Sequence, residues 1–231
     1  MSADAERWDA RYREENYPGG TEPSPFLREI LPVLPCGCAL DLACGAGRNA
    51  VFLAAYGWRV IGMDSSRVAL ERAAALASQR AIRADWASPA ALGAGAEVTL
   101  PGEGSAQHAA AEPGILESLF PKTPGLLLVE THLEKVALPE AECDLLICFN
   151  YLQRSLFPAI ERFLRPGGML VYETLTIEQL TFAGGPRNPE HLLQPGELRS
   201  AFPGLETLFF RQLCAGKGIA SLLARKPAAR H

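Results

Sequence analysis

The chain has 231 residues, is 48% hydrophobic and carries a formal net charge of −4, which suits one domain with a core, with or without an insertion. That charge gives no general pull toward nucleic acid or anionic membrane, no run approaches the roughly 18 to 20 apolar residues of a membrane span, and the first residues lack a secretory-signal plan. A cytoplasmic setting is expected, with Cys36, Cys38, Cys44, Cys143, Cys148 and Cys214 as reduced structural thiols. Cys36-Gly37-Cys38 lacks the spacer of a zinc knuckle and has no second pair, so no metal is expected.

Residues 4 to 17 place charges and aromatics at helical spacing, with Trp8, Arg11 and Tyr12 on neighbouring turns. Such a helix either packs its aromatics on the domain or forms a lid over a ligand cleft. Pro18-Gly19-Gly20 ends it, and Glu22-Pro23-Ser24-Pro25 leads into a short helix over Phe26 to Leu34. Pro35-Cys36-Gly37 then turns into the stretch around which the chain is organised, Ala39 to Arg48. Here an apolar run ends in Asp41 and breaks into Gly45 and Gly47, and small residues continue into a helix over Val51 to Ala55. Glycines between strand and helix let the backbone approach a ligand closely. Trp58 to Asp64 is a second apolar strand that also ends in an acid, and an acid there can accept both hydroxyls of a ribose. Together these features point to a nucleoside-containing cofactor.

After Asp64, Ser65 or Ser66 caps a helix reaching about Gln79, and helices alternating with apolar strands predict a doubly wound, mostly parallel sheet. From Ala87 to about Pro124 the pattern dissolves into Ala, Gly, Ser and Pro, an irregular insertion without a core of its own. Within it Val98-Thr99-Leu100 can form a short strand, Ile115 to Phe120 a helical turn or two, and His108 is solvated. The third strand has two candidates, Ala81 to Trp86 and Leu126 to Leu133. The second is longer and is preferred; alternatively both are strands, with the insertion as an excursion between them. Cys143 to Asn150 is a buried strand followed by Tyr151-Leu152-Gln153-Arg154 at the carboxyl end, where open α/β sheets bind ligands. A helix from about Phe157 to Leu164 is stopped by Arg165-Pro166-Gly167-Gly168, and Met169 to Thr174 is the fifth strand. A polar loop over 182–191 and a short helix to about Phe202 precede Leu205 to Cys214 and Ile219 to Arg225, which the brief link Ala215-Gly216-Lys217-Gly218 makes an antiparallel hairpin.

This order, a seven-stranded sheet whose last strands form a hairpin, resembles class I S-adenosylmethionine-dependent methyltransferases. Asp41-Leu42-Ala43-Cys44-Gly45-Ala46-Gly47 resembles their first motif, with Ala43 at the first glycine position, a mild change of one methyl. Asp64 resembles their ribose acid, and Asp144 to Asn150 and Leu164 to Gly168 resemble their fourth- and fifth-strand signatures. The resemblance runs from about residue 36 to 225 without the insertion, and within the superfamily it is nearest to small bacterial tellurite-resistance-type and thiopurine-type enzymes.

The resemblance implies a single methyltransferase domain, S-adenosylmethionine as cofactor, and a small-molecule methyl acceptor bound at the carboxyl edge of the sheet. It assigns Asp41, Ala43, Gly45, Gly47, Asp64, Ser65, His132, Leu133 and Asn150 to the cofactor. If Ala81 to Trp86 is the third strand, Asp85 and Trp86 replace His132 and Leu133. Tyr151, Arg154, Glu173, Arg187 and Asn188 are candidates for the acceptor, although Arg154 can equally make a surface ion pair and turn chemistry alone accounts for Asn188. No catalytic base is evident. Two other classes compete: Gly45-Ala46-Gly47-Arg48-Asn49-Ala50 also fits the fingerprint of a nicotinamide-dependent oxidoreductase, against which stands Asp41 on the preceding strand, and a non-catalytic cofactor-binding domain would use the same turn. Nucleic acid is disfavoured by charge and by Asn150-Tyr151-Leu152-Gln153, which is no base-flipping signature.

Overall fold

The structure, a computed structural model, describes residues 3–14, 19–87, 120–135, 138, 140 and 142–228. Alternate residues of its central strands enter two different cores, which explains their near-continuous apolar runs. In β1 (Cys38–Leu42), Leu40 and Leu42 face one core and Ala39 the other. The first core is roofed by α5 (Phe157–Phe163) and α6 (Glu197–Ser200), through Phe157, Ile160 and Leu198. The second lies under α2 (Pro25–Ile30), α3 (Arg48–Ala55) and α4 (Arg67–Gln79), through Phe26, Leu53 and Leu70. An N-terminal helix, α1 (Ala3–Arg13), packs on α4.

The remaining strands are β2 (Arg59–Asp64), β3 (Ala84–Ala87), β4 (Gly125–Glu130), β5 (Cys143–Phe149), β6 (Leu164–Leu175), β7 (Glu206–Cys214) and β8 (Gly218–Arg225). They form one eight-stranded sheet in the order β3-β4-β2-β1-β5-β6-β8-β7. All pairs from β3 to β6 are parallel, and β8 runs antiparallel to both β6 and β7. The expected α/β doubly wound architecture and closing hairpin are therefore present, with a correction: eight strands stand where seven were expected. Both candidates for the third strand pair. Gly125–Glu130 lies beside β2, and Ala84–Ala87 adds an edge beyond it, its main chain satisfied by Leu126 to Val129.

Two local readings are sharpened. Ser66 rather than Ser65 caps α4, its Oγ accepting from the Ala69 amide at 3.1 Å. The helix before Arg165-Pro166-Gly167-Gly168 ends at Phe163, and β6 begins at Leu164 and runs through that segment with a register shift against β5; Gly168 fits because a Cβ there would lie 2.9 Å from the Arg165 carbonyl oxygen. Of the expected insertion, residues 88–119 lie outside the described residues, and with them His108, the strand at 98–100 and most of the turn ending at Phe120. Among the described residues, no helix is long and apolar enough to cross a membrane.

Candidate active site

The carboxyl ends of β1, β2, β5 and β6 and the segment following β4 border one cavity of about 380 Å³. Its floor is the turn after β1. The Cys44 amide donates to the Met63 carbonyl at 2.9 Å, which ties the turn to β2. Ala43, Gly45 and Gly47 all take left-handed backbone, with φ of +56°, +54° and +75°. For the glycines this costs nothing, but for Ala43 it costs about 1 to 2 kcal/mol. The alanine is thus less mild a replacement than its single methyl suggests. A Cβ on Gly45 would collide with the Tyr12 hydroxyl, and one on Gly47 would lie 2.5 Å from the Ala73 Cβ. Gly45 therefore admits close approach from the cavity and from α1, whereas Gly47 lets α3 lie against α4. Gly47 itself is not among the residues bordering the cavity.

Asp41 and Asp64 are both buried at this floor, 2% and 8% exposed. One side of Asp41 accepts from the Ala50 amide in the first turn of α3, while its Oδ2 is buried without a hydrogen-bond partner. Burial pushes this carboxyl well above the usual carboxylate range; nearby Arg48 pulls it back and Asp64 pushes it further up. Asp64 accepts from the Gly45 amide at 2.8 Å and from the Ser66 amide at 2.9 Å. Burial raises its pKa too, opposed by those backbone donors. The Ser65 amide acts on it as well, and since a carboxylate has about four lone-pair positions, Asp64 keeps room for a further donor from the cavity.

The wall beyond β2 carries Ser65, His132 and Leu133, which all border the cavity. Asp85 and Trp86 do not; Asp85 pairs with Arg83 at 2.9 Å, and Arg67 lies 3.9 Å above the Trp86 ring, both at the sheet edge. On the opposite side stand Asn150, in left-handed backbone at φ +57°, then Tyr151 and Glu173. Glu173 is buried; its Oε1 accepts from the Ser24 hydroxyl at 2.9 Å and its Oε2 from the Ser221 hydroxyl at 2.6 Å. Trp8 and Tyr12 of α1 form the lip, so this helix both packs on the domain and faces the cleft. Its docking rests on Asp9, which accepts from the Ser66 hydroxyl at 2.6 Å and the Val68 amide at 3.3 Å.

Three expected acceptor residues are not brought to the cavity, a correction with a physical reason in each case. Arg154 makes a two-pronged pair with Glu197, at 2.6 and 3.0 Å, and donates to the Glu190 and Leu192 carbonyls. Arg187 donates to the carbonyls of Leu180 and Phe182. Asn188 caps the turn at 189–191, its Oδ1 accepting from the Glu190 amide at 3.0 Å. Sequence reasoning in turn missed Ser24, Arg48 and Lys217 as lining residues. Arg48 and Asn49 directly follow the glycine turn and were legible from that position; Lys217 and Ser24 reach the cavity only through the hairpin and the α2 entry.

The thiols near the floor are not nucleophiles. Burial raises Cys44 well above its ordinary pKa, with Asp41 and Asp64 adding to it, and pushes Cys148 up to about 12, so both stay protonated at neutral pH. An orphaned carboxylate oxygen, a backbone open to close approach and a second acid with spare lone pairs fit a nucleoside ligand that carries positive charge.

Residues 39–96, which span the glycine turn and the acid of β2, match the family described as "Methyltransferase domain". No curated protein matches the chain. Similar solved structures include a protein from the conversion of a disulfide bond into a thioacetal group during echinomycin biosynthesis, 17% identical, covering 97% of this chain and 92% of that one at a TM-score of 0.62. TehB from Haemophilus influenzae is 14% identical, with 91% and 64% covered and a TM-score of 0.58. An S-adenosylmethionine-dependent methyltransferase from Mesorhizobium loti is 18% identical, with 90% and 99% covered and a TM-score of 0.57. Over residues 39–96 the chain is thus similar to a methyltransferase domain, and its fold is the one shared by these solved structures.

Proposed function

We propose that the chain transfers a methyl group from S-adenosylmethionine to a small-molecule acceptor by in-line displacement. The observation that carries this is Asp41 Oδ2, buried without a partner on the same cavity as Gly45 and Asp64. When bound, S-adenosylmethionine supplies a methyl already activated by its sulfonium, so the protein's part is to align the reactants and exclude water. Asp64 holds the ribose hydroxyls, Ser65, His132 and Leu133 flank the base, and the backbone at Ala43 and Gly45 with Asp41 receives the amino-acid end. Asn150 stands between the two halves of the cavity. Tyr151 and Glu173 face the acceptor, and Trp8 and Tyr12 shield the site from solvent.

Asp64→Ala removes the acid and two of the bonds that shape the turn. It is expected to weaken S-adenosylhomocysteine binding about a hundredfold by calorimetry, with far-UV circular dichroism unchanged. Unchanged affinity would place the cofactor elsewhere. Conversion of S-adenosylmethionine to S-adenosylhomocysteine across an acceptor panel separates the enzyme from a domain that only binds the cofactor.

A further inference from the structure

We infer that the acceptor is a small amine, recognised by Glu173 within an aromatic-walled half of the cavity; this rests on the methyl-transfer reading above. Glu173 is 7% exposed, yet its carboxylate accepts from two neutral hydroxyls, those of Ser24 and Ser221. A buried carboxylate is ordinarily matched by a cation, and one that borders a cavity and holds only neutral donors is completed by a cationic ligand. Each of its oxygens accepts one hydroxyl, which leaves a lone pair on each for an N–H donor. Phe149 and Tyr151 border the cavity beside it and Trp8 stands at the lip, surfaces that favour an ammonium over a carboxylate.

The cavity's charge points the same way. Glu134 and Glu173 border it, and of the basic side chains there Arg48 acts on Asp41 while Lys217 lies exposed on the β7–β8 turn. The chemistry also benefits. The ammonium first gives up a proton to water; the nitrogen lone pair then forms the new C–N bond while the C–S bond breaks with its electron pair kept by sulfur. Positive charge thereby passes from sulfur to nitrogen, and a carboxylate beside that nitrogen stabilises the charge as it develops. The same carboxylate repels a thiolate or an oxyanion.

Benzylamine and benzoate, alike in ring and opposite in charge, test this by calorimetry on the protein loaded with S-adenosylhomocysteine. Benzylamine is expected to bind at least tenfold more tightly than benzoate, and Glu173→Gln, which preserves shape, to erase that preference while S-adenosylhomocysteine affinity stays within about twofold. In turnover, primary amines should outpace thiols and oxyanions, with a loss of about a hundredfold in kcat/KM for amines in Glu173→Gln. Equal binding of the two probes, or a preference that survives Glu173→Gln, overturns the amine assignment and leaves methyl transfer standing. Failure of the wild type to bind S-adenosylhomocysteine overturns both.

Discussion

The two halves of the sheet's carboxyl edge use their polar residues in opposite ways. Over β1 and β2, short side chains on the strand ends border the cavity, and one of them, Asp41, keeps a buried oxygen without a hydrogen-bond partner. Over β5 and β6, the long side chains of the loops turn back on the protein: Arg154 to Glu197, Arg187 to two carbonyls, Asn188 to Glu190. A group that hangs directly off a buried strand is aimed by the sheet, whereas a group on a loop answers first to the loop's own unsatisfied backbone. The half proposed for the cofactor is therefore built on strand ends, and the half proposed for the acceptor leaves few groups, chiefly Glu173, to define its ligand.

The strongest test of the first half is Gly47→Ala. Left-handed backbone and a Cβ 2.5 Å from that of Ala73 should together cost about 2 to 4 kcal/mol, read as a lowered urea midpoint with S-adenosylhomocysteine protection lost. A change below 1 kcal/mol would mean that the close approach of α3 to α4 does not depend on this glycine.

Arg154→Ala probes the other half. The pair with Glu197 is partly exposed, 42% and 22%, so its loss together with two carbonyl contacts should cost only about 1 kcal/mol. Affinity for S-adenosylhomocysteine and the KM of any acceptor should move less than twofold. A large rise in acceptor KM would return Arg154 to the site and break the contrast between the halves.

Asp41→Asn is expected to show the smallest stability change, and of the opposite sign. Because the folded-state pKa is raised, the carboxyl favours folding when protonated, and that contribution is lost as pH rises from the ordinary carboxylate range through the raised value. The unliganded variant should thus be more stable than wild type at pH 8, with the difference closing toward pH 4, while its affinity for S-adenosylhomocysteine falls about tenfold. A difference that widens in acid would mean that Asp41 is stabilised as the anion.

What could be read from sequence follows the same division. Asp41, the glycines and Asp64 lie within 24 residues, so a local pattern carried the floor of the site, as it carried α4 through to Gln79. Arg154 meets Glu197 at a separation of 43 residues, and Glu173 meets Ser24 at 149; no local pattern contains such a partner. The edge strand at Ala84–Ala87 was a candidate from sequence but not the preferred one, for another reason. Ala84–Ala87 is short and largely exposed, and only pairing with the strand on the far side of a long excursion makes it one.

The placement of β8 between β6 and β7 also sets an order of assembly. During synthesis, β7 emerges with no partner until residues 218–225 follow, whereas β1, β2, β4 and β5 can already be joined. Ser221, which fixes Glu173, arrives with that last strand. The floor of the cavity is thus drawn from neighbouring strands within residues 41 to 64, whereas its wall at Glu173 is completed only when a strand 48 residues further along has paired.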